Sequence, residues 1–87
     1  MQGGDDLRDA GRIVRHLLFN SLDVESLSIR GMERALGIPF SRLRRLLRWL
    51  QSEGIVVGYQ VGTSMAFRVL DLERAVHLGL VSLSTEA

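Results

Sequence analysis

Arg42, Arg44, Arg45 and Arg48 crowd into one short stretch of an 87-residue chain, and the surrounding segment, GIPFSRLRRLLRWLQSEGIV, carries no acid before Glu53. A guanidinium is a planar fork of donors that keeps its charge at any physiological pH. Grouped arginines therefore suit phosphate oxygens, carboxylates or the O6/N7 edge of guanine. The same run can serve as an ordinary solvated helix face, and charge alone leaves both readings open. Other chemistry has little to work with. The chain has no cysteine, which removes thiolate nucleophiles, disulfides and zinc fingers. His16 and His77 stand apart from each other and from clustered carboxylates, so neither is expected to bind metal or to catalyse. The glycines form neither a G-x-G-x-x-G fingerprint nor a Walker motif. No cofactor, small-molecule ligand or catalytic set is inferred, and an enzyme is the least expected class.

Eleven basic residues against ten acidic ones leave a net charge of +1, so a polyanion surface must come from local segregation. All eleven are arginine. That bias fits bidentate anion recognition, although a GC-rich coding sequence explains it as well and takes the larger share. The hydrophobic fraction of 46% is that of a globular chain, and it is high enough for another subunit to cover part of the surface. No stretch approaches the roughly 20 apolar residues of a membrane span. The start, MQGGDDLRD, is acidic where a signal peptide would be basic and then apolar. A soluble, cytoplasmic protein with no membrane partner is expected.

The arginines need a scaffold, and punctuation along the chain outlines one. Residues 1–4 read as a flexible N-terminus, 5–80 as one folded domain and 81–87 as a tail. Asp5 and Asp6 suit a helix start, with Leu7, Ala10, Val14, Leu17, Leu18 and Leu22 as its apolar positions and Arg8, Arg12 and Arg15 on another face. Gly11 costs that helix about 1 kcal/mol relative to alanine unless a neighbour approaches closely there. NSLDVES, residues 20–26, reads as a loop, followed by a short extended piece at Leu27. Ser28 then caps a second helix with Ile29, Met32, Ala35 and Leu36 as apolar positions, ended by Gly37. Pro39 opens a third helix from about Phe40 to Ser52, with Ser41 as a candidate capping oxygen and Gly54 as its left-handed close. IVVGYQV and MAFRVL, separated by GTS, read as a hairpin. Asp71 caps a final short helix ending at Gly79. The expected class is α+β, mostly α: three helices, a hairpin and a C-terminal helix.

On a wheel of the third helix, Leu43, Leu47 and Leu50 form the core-facing stripe with Leu46 at its margin, and Ser41, Arg42, Arg44, Arg45 and Arg48 sweep round the rest. The turn before it, LGIP, is too short for antiparallel stacking. Trp49 sits at the rim of the stripe as a roof to the core, and Phe40, Phe67 and Tyr59 read as packing residues.

With these elements placed, SIRGMERALGIPFSRLRRLLRWLQSEGIV resembles the winged helix-turn-helix family of DNA-binding proteins. Gly37 with Leu36 and Ile38, then Leu43, Leu47 and Leu50, then the closing EGIV fall at the family's spacing. Element order extends the resemblance from residue 7 to about residue 80. It implies sequence-specific binding of double-stranded DNA by a small transcriptional regulator, with the third helix in the major groove. Ser41, Arg42, Arg44, Arg45 and Arg48 match groove and phosphate positions, with Arg45 matched to a guanine edge. Gly62, Thr63 and Ser64 match the wing tip, with Arg68 nearby. Two positions depart from the family's pattern. Glu33 stands where a small residue usually packs against the third helix, so that either the two helices sit slightly apart there or Glu33 turns outward toward Arg30 or Arg34, and the wing tip carries no Lys or Arg. The resemblance also implies a homodimer through the terminal helices, placing Leu72, Val76, Leu80 and Leu83 at the interface; ordinary core closure is the competing use of these residues. Two alternatives remain for the whole chain: a winged-helix assembly module whose arginine face meets an acidic protein, and an RNA-binding winged helix that exposes Trp49, Phe40 and Tyr59 as stacking platforms.

Overall fold

Ala10, Ile13, Val14 and Leu17 are all but fully buried, and their spacing places them on one face of helix α1, Gly3–Phe19. The computed structural model describes residues 3–82. Helix α1 begins at Gly3, ahead of the expected boundary, so Asp5 and Asp6 lie in its first turn, where free backbone N–H groups favour negative charge. The buried stripe includes Ile13, which the sequence reading passed over. Leu7, Leu18 and Leu22, expected in the core, are exposed. Leu18 lies at the edge of the stripe, and Leu22 lies past the end of the helix and is 98% exposed.

The segment expected as a loop is partly ordered. Val24–Leu27 forms one turn of 3₁₀ helix, with Leu27 buried in the core. His16 accounts for much of that order: its Nε2 donates to the Ser26 carbonyl at 2.7 Å, and Asn20 Nδ2 donates back to the His16 carbonyl at 2.9 Å. The first bond ties the 3₁₀ turn to α1, and the second adds to the Asn20 backbone N–H that the same His16 carbonyl accepts at 3.0 Å.

Ser28 accepts from the Gly31 N–H at 3.0 Å and so caps α2, Ile29–Leu36. It also bridges to Ala66 in the hairpin. A Cβ on Gly31 would run into the backbone of Glu25 and Ser26, so the 3₁₀ turn lies directly on the start of α2. Met32 is buried and Ile29 and Leu36 pack against the core, whereas Ala35 is exposed. Gly37 takes φ +69°, a conformation that costs glycine little. Only Gly37, Ile38 and Pro39 separate α2 from α3, Phe40–Ser52. Pro39 is the N-cap, and no side chain caps this helix. Ser41 does not supply the cap because it already lies within the first turn; the Pro39 carbonyl accepts from Leu43 N–H at 2.9 Å. Leu46 is as completely buried as Leu43, Leu47 and Leu50.

Strands β1 (Val56–Val61) and β2 (Ser64–Val69) form an antiparallel pair. The turn is two residues, Gly62 and Thr63, with Ser64 already paired to Val61. Gly62 alone has positive φ there, as a primed hairpin turn with glycine first requires. The Ile55 carbonyl accepts from both Leu70 and Asp71 N–H and closes the base of the hairpin, where Val56, Ala66 and Phe67 are buried. The tip, residues 60–65, is exposed.

Asp71 accepts from Arg74 N–H at 3.0 Å and caps α4, Leu72–His77. The chain after it runs back across α1. A Cβ on Gly11 would collide with the Leu80 carbonyl oxygen, so the close approach that justifies this mid-helix glycine is present. Ala75, Leu80 and Val81 are buried. The described residues thus form a mostly helical α+β chain of four helices and one two-stranded hairpin. None of its helices is long and apolar enough to cross a membrane.

Candidate functional site

Helix α3 does not present its four arginines alike. At about 100° per residue, Ser41, Arg44 and Arg48 occupy a sector about 60° wide, while Arg42 lies only about 40° from Leu46 at the edge of the buried stripe. Arg42 is therefore carried against α1. Its Nη2 lies 2.6 Å from Asp6 Oδ1 and its Nε donates to Asp9 Oδ2 at 3.0 Å. Arg45 reaches the same carboxylate, donating to both oxygens of Asp6 at 3.2 Å. Asp6 accepts these bonds and its negative charge adds to them, which raises Arg45 above its ordinary pKa.

The network continues through α1. Arg12 donates to Asp9 Oδ1 at 3.2 Å and to the Leu36 carbonyl at 2.6 Å, so it also satisfies the last turn of α2. An unbroken path runs from the end of α2 through Arg12, Asp9, Arg42 and Asp6 to Arg45, tying three helices together across the short turn. The Asp6 and Asp9 side chains are only 8% and 15% exposed, so their charges depend on these guanidinium partners. The wheel places Arg42 on the exposed sweep, but it is less than a third exposed because α1 covers that side. Arg42→Ala is accordingly expected to cost about 1–3 kcal/mol, by leaving poorly hydrated carboxylates short of a donor. Urea unfolding with the slope held constant measures it.

Arg44 and Arg48 differ from that pair. Both are exposed, and among the described residues neither forms an ion pair or side-chain hydrogen bond. With Ser41 and Arg45 they line a shallow depression. As like charges one turn apart they oppose helix formation by a few tenths of a kcal/mol, and among the described residues no acid pairs with either.

The remaining predicted residues fall outside this edge or lie elsewhere. Thr63, Ser64 and Arg68 are exposed on the hairpin, with Arg68 opposite Val57. Glu33 turns toward Arg30, at 3.1 Å, as the sequence suggested. Arg30 in turn stacks over Phe40 at 4.4 Å from the ring centroid. Trp49 and Tyr59 are half-buried against the core. Leu80, assigned to a dimer contact, is sealed within the chain's own core, and Leu72 and Val76 pack against that core. Leu83 lies outside the described residues. Among the described residues no three His, Cys, Asp or Glu side chains gather as metal ligands would.

The residues that sequence reasoning missed are Asp6 and Asp9 as counter-charges. The signal was present: Asp6 and Asp9 repeat at the same three-residue interval as Arg42 and Arg45, so two packed helices can match them in register. Comparison with models of known protein families and with curated proteins yields no match.

Proposed function

We propose that the chain is a winged helix-turn-helix protein that binds duplex DNA through α3, as a transcriptional regulator does, with the hairpin as its wing. One observation carries the reading: Arg44 and Arg48 lie exposed on adjacent turns and, among the described residues, without a partner, on a helix whose other two arginines are paired with Asp6 and Asp9 of α1. The three-residue turn between α2 and α3 and the Ser28–Ala66 bridge, which adds a third short strand position to the hairpin, support the fold assignment, and the departure at Glu33 is accommodated by its pairing with Arg30. In this reading Ser41, Arg44 and Arg48 meet the DNA. Thr63, Ser64 and Arg68 supply weaker contacts from the wing.

A single-stranded RNA reading is less well supported, because Trp49, Tyr59 and Phe40 are all half-buried and offer no free stacking platform. A protein-assembly module has one observation in its favour: Phe19, Leu22 and Val24 are exposed together at the end of α1 and in the turn that follows.

Titration with random duplex DNA and with single-stranded RNA across a salt series tests the proposal. Two or three neutralised phosphates per chain predict a slope of log K against log salt of roughly −2 to −3 per chain. No duplex binding at low salt would sink the reading and favour assembly. Stronger binding to single-stranded RNA would replace DNA as the partner.

A further inference from the structure

We propose that Asp6 is a specificity-determining residue for this surface: it withholds Arg45, and with Asp9 also Arg42, so that an approaching nucleic-acid backbone meets only the Ser41–Arg44–Arg48 edge. The inference rests on the reading of α3 as the nucleic-acid surface and sets which of its cations count.

Arg45 stands at a boundary. It lines the depression it shares with Ser41, Arg44 and Arg48, and it also lines the cleft formed with Asp5, Asp6, Asp9 and Arg42. Its side chain is 52% exposed, so solvent does not hold it in place; the paired bonds to Asp6 do. Asp6 is in the opposite condition. At 8% exposure its carboxylate is poorly hydrated and retains donors strongly. A phosphate that approached Arg45 would compete with Asp6 for one guanidinium while being repelled by the same carboxylate. The exposed Arg44 and Arg48 on the open edge carry no such penalty. Asp6 therefore works as an internal competitor for polyanion, positioned by the first turn of α1 and fixed by Arg42 at 2.6 Å.

The test compares the parent chain with Asp5→Asn, Asp6→Asn, Arg45→Ala, Arg48→Ala and the double variant Asp6→Asn/Arg45→Ala. Each is titrated against a labelled random duplex at several salt concentrations, with circular dichroism as the check on folding. Asp5 is the charge control, because it lies one residue away, is 81% exposed and pairs with Arg8. Asp6→Asn should tighten binding about five- to tenfold and steepen the salt slope by about one unit per chain, as one more cation becomes available. Asp5→Asn removes the same charge and should change affinity by less than about twofold, as an exposed, screened charge does. Arg45→Ala alone should also stay within about twofold of the parent, and the double variant should lose the Asp6→Asn gain, since the gain acts through Arg45. The inference is overturned if Arg45→Ala weakens binding as much as Arg48→Ala, or if the gain from Asp6→Asn survives without Arg45. If Asp6→Asn fails to fold, the comparison of Arg45→Ala with Arg48→Ala decides by itself. Failure of the underlying reading looks different: a parent that binds no duplex at low salt overturns both, whereas a parent that binds through Arg45 overturns this inference alone.

Discussion

The double variant Arg44→Ala/Arg48→Ala is expected to lose duplex binding almost entirely while keeping its fold. Each arginine that neutralises a phosphate contributes about one unit to the salt slope, so removing both should flatten the slope by about two units per chain. At moderate salt, affinity should fall on the order of 100-fold, close to the floor of non-specific attraction. Folding should be spared for a reason specific to these two positions. They are exposed and, among the described residues, unpartnered, so each substitution should stay within about 0.5 kcal/mol, and relief of like-charge repulsion along α3 works slightly in favour of the variant. Arg15→Ala is the matched control, removing an exposed arginine in the C-terminal half of α1 that lines neither of the depressions containing Arg45. A double variant that binds like the parent would mean that the arginines serve only to solvate the helix. A double variant that melts would mean that Arg44 and Arg48 hold the fold together in some way their exposure does not reveal.

What could be read from the chain and what could not divide along physical lines. Helix α3 ends where Pro39 and Gly54 said it would, because φ restriction at proline and positive φ at glycine, +76° at Gly54, are properties of single residues. Ser28 and Asp71 cap as expected for the same reason: a side-chain oxygen needs only the N–H three residues on. Errors appear where a second element decides. Leu7, Leu18 and Leu22 look no different from Leu17 in a list of apolar residues, and only the position of α1 against α3 and the hairpin selects Ile13 over them. Leu80, which the resemblance places at a dimer contact, is buried with its carbonyl against Gly11. At the site, the density of arginine was legible but its distribution was not. A wheel drawn for α3 alone places Arg42 outside, because it does not contain α1; it places Arg45 outside correctly, at 52% exposure, but cannot show the Asp6 carboxylate that receives it.

The largest expected stability effect lies beneath this surface, at Leu47. Its side chain is 1% exposed and sits in one buried cluster with Leu43, Leu46, Leu50, Met32 and Ile13, residues drawn from three helices. Leu47→Ala removes three carbons from a cluster whose neighbours belong to different elements and cannot all collapse into the gap. The cost should therefore be about 2–5 kcal/mol, lost transfer energy plus residual cavity. A domain of this size has only about 5–10 kcal/mol to lose, so the midpoint of thermal unfolding should fall by about 10 °C or more. The same variant separates stability from binding. Leu47 does not reach the surface, so at a temperature where the variant remains folded its duplex affinity and salt slope should match the parent's. A drop in affinity without unfolding would mean that the depth at which α3 is seated sets the spacing of Arg44 and Arg48. A loss of under about 1 kcal/mol would mean that the cluster repacks freely around the missing carbons and that α3 is not held by interlocking side chains from three helices.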